Sequence, residues 1–361
     1  MKGAKKMKWK APKNELISIL KNMTFPKSVL LIVASGQINF TSSDNTVMTK
    51  SHVEAIIDEV GSACVSATVL YDILTKLRGD YVTFETKEQT LLVKGLKTTV
   101  SIALLDMVNF PYQITEPDNW LFTIQSSDLK KAIKKTNHAI QSEKVPDTLK
   151  GLQIQASGNE LIFIGTDKKQ FAMFKLELPS EEHFEAIIPK EHLKWLENIL
   201  GSGEVSFALQ DNFGVFATST HVLYTRTLNG PYPSLLKMLA LKPVCKITLD
   251  SDVLINSVEL ATVTADKTTT KGTKLVYLST KEDGLTIVAR NELGSTNDYI
   301  EAATEGDEVK VVYDSSHLIH AVKAAAMSKA ELGFVGADSP LIISGDEGTY
   351  VISAIKSREV F

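Results

Sequence analysis

Lys130, Lys131, Lys134 and Lys135 fall within one predicted helix, and their type and spacing suit a polyanion. Leu129, Ala132, Ile133, Thr136 and Ile140 recur at 3- and 4-residue spacing and form one apolar face, while the four lysines and His138 cover the other. A cationic face of this kind meets phosphates through ammonium groups and reads no bases. Lys76 and Arg78 offer a second, smaller cationic site. Motifs for catalysis are missing: there is no P-loop, no Gly-x-Gly-x-x-Gly after a strand, no His-Glu-x-x-His and no Gly-x-Ser-x-Gly elbow. His317 and His320 stand three apart on a predicted helix, a spacing that permits metal binding. No Cys or carboxylate cluster accompanies them in sequence, so neither a metal nor a cofactor is expected. Asp167, in a polar loop, is the least implausible catalytic residue. A binding or architectural protein is therefore favoured over an enzyme.

A unit that occurs three times must position these residues. Phe122-Thr-Ile-Gln-Ser-Ser-Asp-Leu129 aligns without a gap to Ile247-Thr-Leu-Asp-Ser-Asp-Val-Leu254, 125 residues further on. Each is a short alternating strand, then Ser/Asp capping residues, then an amphipathic helix. A weaker copy starts at Asn14-Glu15-Leu16-Ile17, after Pro12. A second helix recurs around Leu70, Leu193 and Leu318, at 54 residues from Leu16, 64 from Leu129 and 64 from Leu254. Copies of about 120 residues are domains, not solenoid turns. Alternating strands follow each second helix at Tyr81, Glu204 and Glu331, and again at Leu91, Phe213 and Leu341. Between the helices, hairpins are predicted at Leu30–Thr41, Leu152–Gly165 and Lys274–Ala289, so the sheets should be largely antiparallel. Proline-rich breaks at Pro111–Asp118 and from Gly230 to Pro243 divide the chain into domains 1–116, 117–241 and 242–361. The expected class is α+β, with two helices packed on antiparallel sheets in each of three domains.

Composition sets the class. The chain has 361 residues, 43% hydrophobic and 23% charged, as in soluble globular proteins. No apolar run approaches the roughly 20 residues of a membrane helix, and the N-terminus lacks the apolar stretch of a signal peptide. Cys64 and Cys245 are the only cysteines; both are expected to be free apolar residues in a reducing cytoplasm. The net charge is -4, with local basic faces. That balance suits a body that stays soluble while one surface meets a polyanion. Lys2, Lys5, Lys6, Lys8, Lys10 and Lys13 precede the first acidic residue and are expected to form a solvated tail.

Three local motifs, in order on this threefold repeat, make the chain resemble the bacterial DNA polymerase III beta subunits, the sliding clamps. Gly165-Thr166-Asp167-Lys168-Lys169-Gln170-Phe171-Ala172 follows an apolar strand. The family reads Thr-Asp-Gly-His-Arg-Leu-Ala there, so Thr166, Asp167 and Ala172 match and the centre departs. Gly230-Pro-Tyr232-Pro233 through Leu239 resembles the family's Gly-x-Phe/Tyr-Pro stretch between its second and third domains. Ser339-Pro340-Leu341-Ile342-Ile343 and Tyr350 through Ile355 resemble its C-terminal strands. The altered centre, the C-terminal extension to Phe361 and the short first unit suggest a divergent member, such as a phage-borne one.

The resemblance implies a head-to-tail homodimer closed as a ring around duplex DNA, a processivity factor without catalysis. Its partners would be the replicative polymerase, the clamp loader, and repair or other replication proteins; no membrane is involved. On this reading Lys130, Lys131, Lys134 and Lys135 face phosphates, with Lys76 and Arg78 beside them. The family's hydrophobic peptide pocket would comprise Leu149, Thr166, Lys168, Lys169, Gln170 and Phe171. Pro233, Lys237 and Met238 would join from the linker, with Pro340, Val351, Ile352, Ser353, Ala354 and Ile355 from the last domain. The dimer would close by edge-strand pairing, between the Thr99–Leu104 strand with Val100 and Ile102, and the Leu260–Asp266 region with Thr262 and Val263. The competing reading keeps the fold and pocket but not the ring, as a partner-binding adaptor.

Overall fold

A computed structural model of the chain describes residues 6–107, 110, 114–141, 144–178, 183–233, 238, 240–266, 273–345 and 348–356. Six helices carry the repeat: α1 (Lys13–Lys21), α2 (Ala67–Lys76), α3 (Ser126–Thr136), α4 (Lys190–Ile199), α5 (Ser251–Ala261) and α6 (Ser315–Ala325). They lie where the spacing of Leu16, Leu70, Leu129, Leu193, Leu254 and Leu318 places them, and each of these leucines is at most 1% exposed. The capping residues do what their chemistry suggests. Ser66 accepts from the Val69 amide, Asp250 from Asp252 and Val253, and Asp314 from Ser316. Each satisfies amides that an α-helix leaves unpaired in its first turn.

Among the described residues the strands form four sheets, and all their pairings are antiparallel. By contact the chain gathers into two compact units, one of Met1–Lys130 with Glu191–Thr227 and one of Lys131–Lys190 with Leu228–Phe361. The first unit holds a five-stranded sheet in the order Ile56–Glu59, Lys8–Pro12, Tyr81–Lys87, Thr90–Lys94, Thr99–Ala103. It also holds an eight-stranded sheet ordered Phe122–Gln125, Glu204–Gln210, Phe213–Ala217, His221–Arg226, Val47–Val53, Gln37–Ser43, Val29–Ser35, Gly61–Ser66.

The second unit holds a nine-stranded sheet. Its order is Phe184–Pro189, Gly151–Ser157, Glu160–Thr166, Gln170–Glu177, Gly348–Ile352, Leu341–Ser344, Lys329–Phe334, Cys245–Asp250, Ala303–Gly306. A four-stranded sheet runs Gly294–Glu301, Gly284–Asn291, Leu275–Lys281, Lys310–Asp314.

One rule governs how the repeats join. In the eight-stranded sheet, His221–Arg226, the third strand after its repeat's second helix, pairs with Val47–Val53, the third strand after the previous repeat's first helix. In the nine-stranded sheet, Gly348–Ile352 pairs with Gln170–Glu177 in the same way. Two strands of these kinds are left over, Thr99–Ala103 and Gly294–Glu301, and both are sheet edges.

The N-terminal lysine run is a correction to the sequence reading. From Met7 onward it is no tail: Lys8–Pro12 is a strand paired on both sides. Met7, Trp9 and Ala11 point inward at 0%, 0% and 1% exposure, and the lysines point outward. Trp9 stacks on Phe84 at 3.9 Å and meets Phe40 edge-on at 6.2 Å. Lys6 pairs with Glu59 at 3.6 Å, Lys8 with Asp58 at 3.2 Å, and Lys10 lies over the Tyr81 ring at 4.9 Å. Trp9→Ala is expected to destabilise the fold by about 3–5 kcal/mol, as large aromatic truncations in cores do. A denaturation midpoint close to that of the unaltered chain would show that the strand contributes little. Cys64 and Cys245 are both free and buried, and burial with the nearby Asp106 pushes the Cys64 thiol up to about 11.

Candidate functional site

The lysine face is present on α3, but its four members differ. Lys131 and Lys134 are exposed and Lys130 is half-buried. The Lys135 ammonium donates to the carbonyls of Ala324 and Ala325 at 3.1 and 3.3 Å. Those carbonyls end α6, whose cap Ala326 takes a left-handed conformation at φ 54. Lys135 thus satisfies carbonyls that a helix end leaves open, and it also opposes the negative end of the dipole. Its sequence-based assignment to phosphate contact is corrected to a structural one. Lys135→Ala should destabilise by about 1 kcal/mol and lower the melting temperature; an unchanged melting temperature would argue against the cap. Lys76 closes α2 and Arg78 follows it, both exposed.

Lys131, Lys134, His138, His320 and Lys323 border a cavity of about 390 Å³. The rings of His138 and His320 are 6.2 Å apart. His138 is pushed down to about 4, chiefly by burial, then by His320, His317 and Lys190, with Asp167 opposing. A histidine depressed in this way is neutral when folded and takes a proton on unfolding. Its contribution is complete above pH 6.5 and is lost as pH falls from 6.5 towards 4. His138→Gln should flatten that stretch of a stability-against-pH curve, by roughly 3 kcal/mol across it; an unchanged curve would discount the residue.

The loop between the strands Glu160–Thr166 and Gln170–Glu177 is a rigid turn. Asp167 accepts from the amides of Lys169 and Gln170 at 2.8 and 2.9 Å, and from the Gln170 side chain at 3.1 Å. The Thr166 hydroxyl donates to the Gln170 carbonyl at 2.7 Å, and Gln170 reaches the His138 carbonyl at 3.4 Å. The Ser353 amide donates to the Lys169 carbonyl at 2.7 Å, which ties the loop to the last strand. Asp167 is 5% exposed and its carboxylate is occupied with this turn. Lys168 sits at φ 76, where the resembling pattern has glycine. A β-carbon there costs on the order of 1 kcal/mol, so Lys168→Gly should stabilise the fold by up to about that amount; a lower unfolding midpoint would contradict the strain.

Phe171 and Val351 face each other across the strand pair Gln170–Glu177 and Gly348–Ile352. Both are 2% exposed, in an apolar cluster with Ile164 and Met173. Tyr232 of the linker packs on this cluster, and its hydroxyl donates to the Ile164 carbonyl at 3.2 Å. The next residue, Ile352, points to the opposite face and is core at 0%, beside Tyr350. Ala354 also packs on that core, so neither lines the cluster. Leu149 and Thr166 are buried, Met238, Pro340, Ser353 and Ile355 are half-buried, and Pro233 is exposed. Lys237 lies outside the described residues.

The tip of the loop borders a polar cavity of about 560 Å³, where Asp167, Lys168 and Lys169 meet Lys144, Lys274 and the start of α6. There Asp314 and His317 approach to 3.8 Å. Tyr232, Lys144, Lys274 and Asp314 were missed by sequence reasoning as site residues, although Tyr232 stood within a motif, and His317 was weighed there only as a metal ligand. Among the described residues, no three His, Cys, Asp or Glu side chains are grouped to hold a metal, and no helix is long and apolar enough to cross a membrane.

The residues named for dimer closure behave unequally. Thr99–Ala103 is an edge strand as expected. The side chains of Val100 and Ile102 nonetheless turn into the first repeat's core, Ile102 at 6% exposure. Only the strand's backbone and its outward residues Thr99, Ser101 and Ala103 are presented. In the third repeat Gly294–Glu301 is an edge strand, as are Ala303–Gly306 and Lys310–Asp314, whereas the stretch around Thr262 is not a strand. Val263 is 71% exposed, and its neighbour Thr264 bonds Thr296 of that edge at 2.7 Å.

Comparison with known proteins gives a consistent picture. Family models described as the N-terminal, central and C-terminal domains of the DNA polymerase III beta subunit match residues 15–115, 123–234 and 241–356. The beta sliding clamp of Staphylococcus aureus is 25% identical over 347 residues, covering 89% of each chain. The fold superposes on the DNA polymerase sliding clamp from Bacillus subtilis with a TM-score of 0.91 at 20% identity, over 98% of this chain and 100% of that one. It superposes on the DNA polymerase III subunit beta from Pseudomonas aeruginosa at 0.90 and 21%, over 97% and 100%.

Proposed function

Since the chain belongs to the DNA polymerase III beta subunit family, we propose that two copies close head to tail into a ring around duplex DNA. The ring tethers the replicative polymerase, and it performs no catalysis of its own. Domain boundaries near 116 and 241 follow from the same repeat.

The observation that carries this reading is the pair of strands left over by the joining rule. Within the chain, a third strand after the second helix twice pairs with a third strand after the first helix of the preceding repeat. Thr99–Ala103 and Gly294–Glu301 are the remaining members of those two kinds. Repeating the rule between copies uses both, and it removes edges that would otherwise invite aggregation. Topology, not affinity, then holds the ring on DNA, so lysine contacts to phosphate can stay weak and sequence-independent. Partner proteins dock around Phe171, Val351 and Tyr232 and the loop that leads from them.

Molar mass by light scattering over a concentration series, followed by retention on nicked circular DNA, tests the reading. A two-chain mass with release on linearising the circle supports it. A single-chain mass at every concentration would move the function to a partner-binding adaptor without a ring.

A further inference from the structure

The partner site has an unusual balance of charge. Four lysines (Lys144, Lys168, Lys169 and Lys274) and two aspartates (Asp167 and Asp314) border the 560 Å³ cavity. Both aspartates are already committed. Asp167 holds the turn that carries the lysines, and Asp314 caps α6 through the Ser316 amide at 2.9 Å and hydroxyl at 2.6 Å. Lys274 is spent as well, on the Thr262 carbonyl at 2.6 Å. Among the described residues Lys144, Lys168 and Lys169 have no ion-pair partner. The N-terminal end of α6 adds its positive dipole to the same cavity.

We infer that this cavity selects an acidic peptide: a short partner segment whose apolar residue rests by the Phe171–Val351 cluster and whose adjoining Asp or Glu residues enter the lysine-walled cavity. The inference rests on the partner-docking reading above and adds the chemistry of the partner. The loop is fixed by five hydrogen bonds around Asp167 and Thr166, so its lysines are presented with little ordering cost. A concave pocket of this volume admits side chains of an extended segment; a DNA duplex is too wide to enter it. Complementary charge of this sort sets partner choice and encounter rate more than raw affinity.

The test is selection by the full-length chain from a displayed library of random short peptides, then affinity of a selected peptide and of its copy with Asp and Glu changed to Asn and Gln. Enrichment of sequences joining apolar and acidic residues is expected, with the amide copy binding about ten-fold more weakly. In Lys144→Gln/Lys169→Gln that difference should shrink, while the amide copy binds as before. Enrichment of neutral or basic peptides, or equal affinity of the pair, overturns the inference and leaves the docking reading intact. Failure to enrich any peptide overturns the docking reading, and the inference with it.

Discussion

Replacing Leu260 and Val263 together by aspartate is expected to turn a dimer into monomers. Leu260, in the last turn of α5, is 56% exposed and Val263, just past its end, 71%, and α5 packs along Gly294–Glu301. Leu293, at the turn that opens this strand, is 96% exposed, and Tyr299 within it 41%. Large apolar side chains gathered at an unpaired sheet edge are the composition of an interface and not of a free surface. On the other side of the proposed junction Leu96 is 74% and Leu105 40% exposed, flanking Thr99–Ala103. Burying two carboxylates without partners there should raise the dimer dissociation constant at least roughly 100-fold. The fold should survive, since neither side chain is buried within the chain. Light scattering reads the mass, circular dichroism the fold, and retention on nicked circles the consequence. If mass and retention match the unaltered chain, the ring closes through some other surface.

Helices were legible because their signal is local. Leucines at fixed spacing and a Ser or Asp cap four residues ahead of each identify an amphipathic helix without any tertiary knowledge. Asp250 caps as expected, while Ser66 and Asp314 cap second helices for which no cap had been assigned. The N-terminal strand was obscured by its own composition. Counting lysines from Lys2 to Lys13 hid the period-2 alternation of Met7, Trp9 and Ala11, which is the stronger indicator.

Other features could not be read locally. Lys135 and the carbonyl it caps are 189 residues apart, so nothing near Lys135 distinguishes it from Lys134. Val351 and Ile352 are equally apolar, and only strand register sends one to the Tyr232 cluster and the other to the core. Likewise, Val100 and Ile102 marked a strand correctly, but which face they took depended on the sheet beneath. The edge at Gly294–Glu301 becomes visible only once all four sheets are ordered. Lys168 is the intermediate case: its left-handed backbone is the conformation for which the family's glycine would be chosen.

The second large effect concerns DNA. Lys130→Glu, Lys131→Glu and Lys134→Glu in combination are expected to impair loading on nicked circles at least ten-fold at moderate salt, with the fold intact. Lys131 and Lys134 are exposed, and Lys130 is half-buried near Glu197, whose carboxyl burial pushes up. In a ring of two copies six cations would become six anions facing phosphates. Each lost contact removes about 0.9 from the slope of log affinity against log salt for duplex DNA. The altered chain should therefore show a shallower salt dependence as well as weaker loading. Lys135 is left out on purpose, because a glutamate there would face the carbonyl end of α6 and confound loading with folding. Reversal of Lys76 and Arg78 should add a smaller loss, since only four charges change in the same ring. Topology explains why the effect would fall on loading and not on dwell time. Once closed, a ring cannot leave a circle sideways, however weak its contacts. Capture of DNA before closure, in contrast, depends on attraction between the α3 lysines and phosphate. Unchanged loading with an unchanged salt slope would remove α3 from the DNA path.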